Sequence, residues 1–347
     1  MNKKVAFTTS CPVEVIYAAG LTPVDINNIF VLNDPENMVK SAELSGFPRN
    51  ICAWIKGMYT TIHAHDIDTL IGIVQGDCSN THSLMSILAD EKYEVIPFSY
   101  PYYTKMKHSP SIVSPLSQIS EKDSYRYFLD REIQKIESVF GTTRPDTQKM
   151  KTKLDAIRKK LIILDDMTWQ TNQVTAQENH LWLVTSSDFN SDYDRYSHDL
   201  DVLIEVAKER TPIRSKLRLG YIGVPPILTD IYSFIEKCSA RVVFNEVQRQ
   251  FSMPYLEEDI LEQYLRFTYP HSIFERIADI KTEIVRRGIN GLIAYTQSFC
   301  HRQLDILSLK RHLDLPILLL EADMPGVLDA RTKLRIESFI EMIEDNN

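Results

Sequence analysis

Cysteines are the residues of this sequence whose positions most clearly suggest chemistry. Two of them, Cys78 and Cys300, end stretches that match at one fixed offset, residues 67–78 and 289–300. Each stretch contains an apolar run typical of a buried parallel strand, and a predicted helix follows each thiol. The dipole and the unpaired amides at a helix N-terminus favour the thiolate. The repeat therefore predicts two ionisable thiols at the carboxyl ends of two strands.

Cys52 supplies a third thiol, at the start of a helix predicted over 51–61. Three convergent thiolates suit soft metals, and an iron–sulfur cluster can collect its ligands from distant segments. The spacing matches no standard cluster motif, so an inert core thiol is the alternative at each position. The odd total of five cysteines and the lack of a CxxC argue against a disulfide framework and a zinc ribbon. Cys238, at the opposite end of its predicted helix, is expected to be structural.

Polar residues near the same predicted strand and helix ends are further candidates. Glu14 lies in the first turn of a helix predicted to face the cleft, where it is either a capping residue or a proton-handling carboxylate. Gln75 and Gln297 share one position of the repeat and are expected to support a bound cofactor. His63 and His65 precede the first repeated strand at its other end, which favours a loop or packing role over metal binding.

Composition excludes several classes of protein. The chain has 347 residues, a hydrophobic content of 44% and a formal net charge of −8. These values indicate folded cores and argue against a partner that is a nucleic acid. No apolar run approaches the ~20 residues that span a bilayer, and no signal peptide is evident. We therefore expect a cytoplasmic protein with no membrane partner. GxGxxG and GxxxxGK are absent, which argues against standard dinucleotide or ATP binding.

The order of predicted elements indicates an α/β fold with two related half-domains, each with a parallel sheet. The first half-domain covers residues 1–109 and the second covers 213–347. Residues 110–212 are rich in charged residues at helical spacing and are predicted to form a helical insertion between the halves. The insertion either covers the sheets or caps a substrate. Ligands of open α/β sheets bind at the carboxyl edge, where the repeated thiols are predicted to lie.

Five stretches of the chain resemble motifs of the 2-hydroxyacyl-CoA dehydratase family, which includes benzoyl-CoA reductase subunits and double-cubane cluster proteins. They are residues 11–24 (CPVEVIYAAGLTPV), 51–56 (ICAWIK), 76–78 (GDC), 298–300 (SFC) and 315–323 (LPILLLEAD). The resemblance covers both α/β halves and is weak through the middle. The first motif and the Phe-Cys…Leu-Glu-x-Asp ending are fairly specific when taken together.

The resemblance implies a [4Fe–4S] cluster that cysteines hold between two Rossmann-like domains. It also implies an acyl-CoA substrate, and a low-potential electron delivered by a separate ATP-hydrolysing iron–sulfur activator. Family members work as dimers, so a homodimer or a heterodimer with a related subunit is expected. Cys52, Cys78 and Cys300 match the ligand motifs best. Cys11 is either a fourth ligand or a neighbour of an iron with an open coordination position.

The chain departs from the family pattern in three respects. The family's first cysteine commonly lies four residues before the proline of the first motif, where this chain has Thr8. Double-cubane proteins carry an extra cysteine where this chain has Val247, Gln248 and Arg249, which favours a single cubane. The chain is also shorter than typical catalytic subunits, so the acyl-CoA substrate is an open point.

The sequence thus predicts an oxygen-sensitive iron–sulfur reductase or dehydratase-like subunit acting on a small molecule. If Cys11 binds, the cubane is fully ligated and electron transfer is favoured. If it does not, the free iron is a Lewis-acid and one-electron site. Two alternatives from other classes are a non-catalytic electron-transfer or scaffold subunit, and a cluster-free protein that binds a ligand in the cleft.

Overall fold

A four-stranded parallel sheet forms the first half of the fold. The computed structural model describes residues 3–67, 69–101 and 121–346. The first sheet has the order β2-β1-β3-β4. Its strands are β1 (Lys4–Phe7), β2 (Thr22–Asp25), β3 (Thr69–Ile73) and β4 (Glu94–Phe98). The accompanying helices are α1 (Val13–Ala18), α2 (Ile26–Leu32), α3 (Pro35–Leu44), α4 (Ala53–Ala64) and α5 (Ser79–Asp90). All residues of β3 are buried, as its continuous apolar run predicts.

Helices dominate the middle of the chain, as predicted. They are α6 (Glu121–Phe140), α7 (Arg144–Trp169), α8 (Ala176–Thr185) and α9 (Tyr193–Lys208), with a 3₁₀ turn at Phe189–Ser191. The apolar face of α7 packs on α1 and joins the core of the first sheet through Leu154, Leu161 and Leu164. The helices therefore extend the first core. The boundary predicted at residues 109 and 110 lies outside the described residues.

The second half repeats the topology of the first. Its parallel sheet has the order β6-β5-β7-β8. The strands are β5 (Leu217–Gly223), β6 (Ala240–Asn245), β7 (Gly291–Gln297) and β8 (Ile317–Ala322). The helices are α10 (Ile231–Lys237), α11 (Glu246–Phe251), α12 (Ile260–Arg266), α13 (Ile273–Arg287), α14 (Asp305–His312) and α15 (Ala330–Asp345), with a 3₁₀ turn at His301–Leu304. The predicted α/β class with two Rossmann-like halves and a helical segment between them is confirmed.

The two halves place the repeated stretches in the same position. β3 lies between β1 and β4, and β7 lies between β5 and β8. Each is an interior strand of its sheet, and each is followed by a cysteine and a helix. In the described part of the chain, no helix combines the length and the hydropathy needed to cross a membrane.

Candidate metal centre

A pocket of about 110 Å³ lies where the carboxyl ends of the two sheets meet. Its wall includes residues that follow β1, β3, β5 and β7, together with residues of α4, α8 and α11. Three of the predicted ligands, Cys52, Cys78 and Cys300, line it together. The pocket is large enough for several water molecules, each of which needs about 10–15 Å³. A concave site therefore forms at the carboxyl edge of the sheets, where the repeat predicts that Cys78 and Cys300 lie.

Each of the three thiols directly precedes a helix. Cys52 precedes α4, Cys78 precedes α5 and Cys300 precedes the 3₁₀ turn at His301–Leu304. The backbone N–H groups of Trp54 and Ile55 oppose the rise in the pKa of Cys52, and that of Arg302 opposes the rise in the pKa of Cys300. Amide donors of this kind stabilise a thiolate and tune the potential of a cluster bound to it. The three cysteines therefore share one local setting, the start of a helix or of a 3₁₀ turn.

Electrostatics couple the three sulfurs to one another. Burial raises the pKa of the Cys52 thiol to about 12, and the charges of Cys300 and Cys78 add to that rise. Burial also raises the pKa of Cys300, the Arg302 guanidinium opposes the rise, and the charge of Cys78 adds to it. The sulfurs would therefore repel one another as thiolates. Three negative sulfurs in this pocket would need a cationic partner, because a buried charge is costly unless it is paired.

Thiols are the soft donors that this pocket offers to a metal or a cluster. Among the described residues, no three His, Cys, Asp or Glu side chains are grouped tightly enough to hold one metal ion. In a cubane each thiolate binds a different iron, so its ligands lie farther apart than the ligands of one ion. Thiolates are also the ligands that iron–sulfur clusters use. Three thiols around one pocket agree with that chemistry.

Cys11 lies in the core of the first half rather than in the described pocket wall. Its carbonyl accepts a hydrogen bond from the Tyr264 hydroxyl at 2.9 Å. Burial, with the charges of Glu14 and Asp25 adding to it, raises the pKa of the Cys11 thiol well above its usual value. Cys11 is therefore a buried thiol of this core, and its role as a fourth ligand or as a neighbour of an open iron stays a prediction.

Glu14 is fully buried in the helical packing, whereas the sequence predicted that it faces the cleft. Its carboxylate pairs with Arg158 of α7 at 2.7 Å and accepts hydrogen bonds from Gln263 at 3.0 Å and Tyr264 at 2.8 Å. These partners occupy the carboxylate and tie α1 to α7 and α12. Glu14 is buried rather than cleft-facing because α7 supplies Arg158 as its partner. The N-terminal segment alone does not predict this contact.

Replacing Glu14 with glutamine is expected to destabilise the fold. The change leaves the Arg158 cation buried beside a neutral amide, and breaking such a pair costs about 3 kcal/mol. The free energy of unfolding in urea should fall by that order. The matched control is Glu205→Gln, which removes an exposed pair with Lys208 and should cost under about 1 kcal/mol. Equal effects of the two substitutions would contradict the structural role of Glu14.

The two glutamines predicted to support a cofactor lie in different environments. Gln297 is 1% exposed and lines the pocket. Gln75, at the same position of the other repeat, is exposed and is not among the described lining residues. Thr8, which stands where the family's first cysteine is common, is 3% exposed and does line the pocket. Its hydroxyl accepts a hydrogen bond from the Ile73 amide at 3.0 Å.

The position of the extra double-cubane cysteine is occupied by a buried polar network. Gln248 of α11 contacts the His180 ring nitrogen at 3.1 Å and donates to the Tyr232 hydroxyl at 3.3 Å. Arg249, the next residue, pairs with Asp279 at 3.1 Å. These side chains therefore place a network of hydrogen bonds and an ion pair at this position.

Residues outside the cluster motifs lie where the sequence suggested. Cys238 ends α10 and packs against the core of the second half, in agreement with a structural thiol. The His63 ring contacts Glu91 at 3.0 Å and Tyr93 at 3.0 Å, and His65 contacts the Thr61 carbonyl at 3.0 Å. None of the three lies in the described pocket wall.

Sequence reasoning missed a pair of buried carboxyls at the pocket edge. Asp25, which lines the pocket, donates its amide to Asp188 Oδ2 at 2.8 Å and accepts from the Ser187 hydroxyl at 2.6 Å. Burial, with the charge of Asp25 adding to it, raises the pKa of Asp188 to about 8. The sequence allows Asp25 to be identified as a helix cap. Its partner Asp188 lies in a loop after α8, and no sequence pattern indicates that the two residues meet.

Replacing Asp188 with asparagine is expected to flatten the dependence of stability on pH. In the wild type the folded state keeps a proton that the unfolded state loses, so stability falls as pH rises from about 4 to about 8. The slope is at most about 1.4 kcal/mol per pH unit. Thermal unfolding of the variant should therefore compare more favourably with the wild type at pH 8 than at pH 5. If the difference in unfolding temperature between variant and wild type is the same at both pH values, the raised pKa of Asp188 is contradicted. The control is Asp66→Asn, which changes an exposed aspartate.

Fold and pocket together define a two-lobed α/β protein with one thiol-lined site shared by its halves. A scan against family models matches residues 8–343 to the family of the 2-hydroxyglutaryl-CoA dehydratase D-component. The chain therefore belongs to that family, and the resemblance seen in its motifs is confirmed over nearly its whole length. A search of curated proteins gave no match.

Proposed function

We propose that this chain holds a [4Fe–4S] cluster on Cys52, Cys78 and Cys300 and removes water from a 2-hydroxyacyl thioester. The observation that carries the proposal is the meeting of three thiols from three distant segments on one pocket wall. Family membership supports the thioester as the class of substrate. When bound, the cluster supplies a low-potential electron and a Lewis-acidic iron.

Thr8 supports an iron with an open coordination position. Thr8 lines the pocket where the family commonly places a cysteine. A threonine hydroxyl is a poor ligand for the iron of a cluster, which prefers thiolates. Cys11 is buried elsewhere, so the pocket wall supplies three thiolates rather than four. A fully ligated electron carrier would need a fourth ligand, and this arrangement therefore favours substrate binding over electron transfer alone.

Arg302 offsets the negative charge of the site. Its guanidinium lies 4.5 Å from the centre of the Tyr269 ring, donates to the Tyr269 carbonyl at 3.0 Å and opposes the rise that burial causes in the pKa of Cys300. Tyr269 and Phe251 add aromatic surface to the pocket wall. Together these residues exclude water and stabilise thiolates that would otherwise repel one another. Exclusion of water suits chemistry at low potential, and the Arg302 cation limits the negative charge that the pocket must hold.

Partners follow from the proposed reaction. An electron must be delivered to the cluster, and we infer an ATP-dependent iron–sulfur activator as the donor. The family is described as one component of a dehydratase, which supports assembly with a second, related subunit or a second copy.

Anaerobic purification tests the proposal. The protein should contain about four iron and four sulfide per chain. After reduction, its EPR signal should change when 2-hydroxyglutaryl-CoA is added, and the unsaturated thioester should form once an electron donor is present. A protein without iron eliminates the cluster. A cluster whose signal no 2-hydroxyacyl thioester alters would leave an electron-transfer subunit as the better account.

A further inference from the structure

Two carboxyl groups, besides the three thiols, line the pocket. They belong to Asp25 and Asp77. Asp25 accepts hydrogen bonds from the Asn27 amide at 2.9 Å and from the Ser187 hydroxyl at 2.6 Å, which favour its charged form. Burial raises the pKa of Asp25 and of its neighbour Asp188, and the charge of Asp25 adds to the rise at Asp188. The pair therefore keeps one proton and one negative charge at neutral pH.

The positive charge of the pocket is already shared among several groups. Arg302 is the only residue of the described pocket wall that is cationic at neutral pH, because burial and the charge of Arg302 lower the pKa of His301 below its usual value. The Arg302 guanidinium lies 3.9 Å from the Asp305 carboxylate. Its charge also opposes the rises that burial causes in the pKa values of Asp77 and Cys300. Little of this charge is left for another anion.

Apolar side chains form much of the remaining wall. They come from three helices and include Ile55 and Met58 of α4, Val184 of α8 and Phe251 of α11. An apolar chain that enters the pocket gains from leaving water against such a surface. A carboxylate that enters it loses its hydration, which is costly unless the charge is paired.

We propose that the acyl chain of the thioester is uncharged, so that the substrate is a 2-hydroxyacyl thioester with an aliphatic or aromatic chain. The 2-hydroxyglutaryl group in the family's description ends in a second carboxylate. That carboxylate would meet Asp25 and Asp77, which carry its own sign, and juxtaposed like charges reject a ligand. This inference rests on the proposed dehydratase function and narrows its substrate.

Three thioesters of similar size test the proposal. They are 2-hydroxyglutaryl-CoA, its analogue with a carboxamide in place of the terminal carboxylate, and 2-hydroxy-5-methylhexanoyl-CoA, in which an isopropyl group takes that place. In calorimetry on the cluster-loaded protein, both uncharged thioesters should bind about tenfold or more tightly than 2-hydroxyglutaryl-CoA, which then saturates only at higher concentration. Equal or tighter binding of 2-hydroxyglutaryl-CoA overturns the proposal. A carboxamide that binds as weakly as the carboxylate also overturns it, because charge would then not be the cause.

A new cation in the wall tests the electrostatic cause. Val184 is half-buried and lines the pocket, so Val184→Lys adds a positive charge there. The affinities of this variant for 2-hydroxyglutaryl-CoA and for the carboxamide analogue should agree within about twofold. Val184→Gln is the matched control, since it adds a polar side chain without a charge and should keep the preference of the wild type. An unchanged preference in folded, cluster-loaded Val184→Lys contradicts the proposal.

The same measurements separate this inference from the proposed function. If the wild type lacks iron, or if it binds none of the three thioesters, the proposed function fails. If the cluster-loaded wild type binds 2-hydroxyglutaryl-CoA as tightly as the uncharged thioesters, the dehydratase function stands and the uncharged chain alone is wrong. Iron and sulfide content should be the same in wild type, Val184→Lys and Val184→Gln, because Val184 is not among the proposed ligands.

Discussion

Cys78→Ser is expected to lower the bound iron from about four atoms per chain to nearly none. The substitution removes one of three thiolates, and a serine hydroxyl is a poor substitute for a soft ligand. Two remaining thiolates would leave two irons exposed to solvent and oxygen. Cys52→Ser and Cys300→Ser should behave in the same way, because the three thiols occupy equivalent places at helix starts around one pocket. Iron and sulfide analysis after anaerobic purification measures the effect.

Two other cysteines provide matched controls. Cys238→Ser changes a thiol at the end of α10, away from the described pocket wall, and should retain all of the iron. Cys11→Ala tests the fourth-ligand alternative directly and should also retain it, at some cost in stability because the site is buried. Loss of iron in Cys11→Ala, with the fold intact by circular dichroism, would show that Cys11 is a ligand after all.

Thr8→Cys is expected to keep the cluster and to lower turnover by about a hundredfold or more. A thiol at this position of the pocket wall would occupy the fourth coordination site and exclude the substrate from the iron. The EPR signal of the reduced variant should no longer respond to 2-hydroxyglutaryl-CoA, while its iron content stays near that of the wild type.

Thr8→Val separates the effect of a new ligand from the loss of the threonine. Valine removes the acceptor that Ile73 uses and should cost about 1 kcal/mol in stability, but it leaves the iron open. It should therefore retain the EPR response to the thioester. A Thr8→Cys variant that turns over like the wild type would contradict an open iron at this position.

The repeated strands could be predicted because the signal is local. Each repeat contains a continuous apolar run, then a cysteine, then an amphipathic segment. This pattern predicts β3 and α5 in the first half, and β7 and the turn after it in the second. The common strand order of the two sheets follows from that repeat. Cys78 and Cys300 were predicted to meet because each lies at the carboxyl edge of one of two facing halves, and Cys52 was predicted as a third thiol at the start of a helix.

Burial at the pocket edge could not be predicted from the repeat. Gln75 and Gln297 hold one repeat position, yet β3 ends at Ile73 whereas β7 continues to Gln297. The first glutamine is therefore exposed and the second is buried in the pocket wall. The repeat predicts where each glutamine lies along the chain. Whether its side chain is buried depends on how far the preceding strand extends.

Long-range partners were equally out of reach. Glu14 appears suited to a cleft until Arg158, far along the chain, neutralises it. Asp188 likewise gains its raised pKa from burial beside Asp25, a contact between the first sheet and the loop after α8. Both outcomes depend on how the middle helices pack on the first half, which no local pattern in the sequence specifies.

Anomalous diffraction at the iron edge from anaerobically grown crystals tests the central claim most directly. The account predicts one compact group of iron peaks within bonding distance of the Cys52, Cys78 and Cys300 sulfurs, with one iron that has no protein thiolate. Iron at any other place, or thiols of these residues that remain unbound in protein purified with its full metal content, would contradict it.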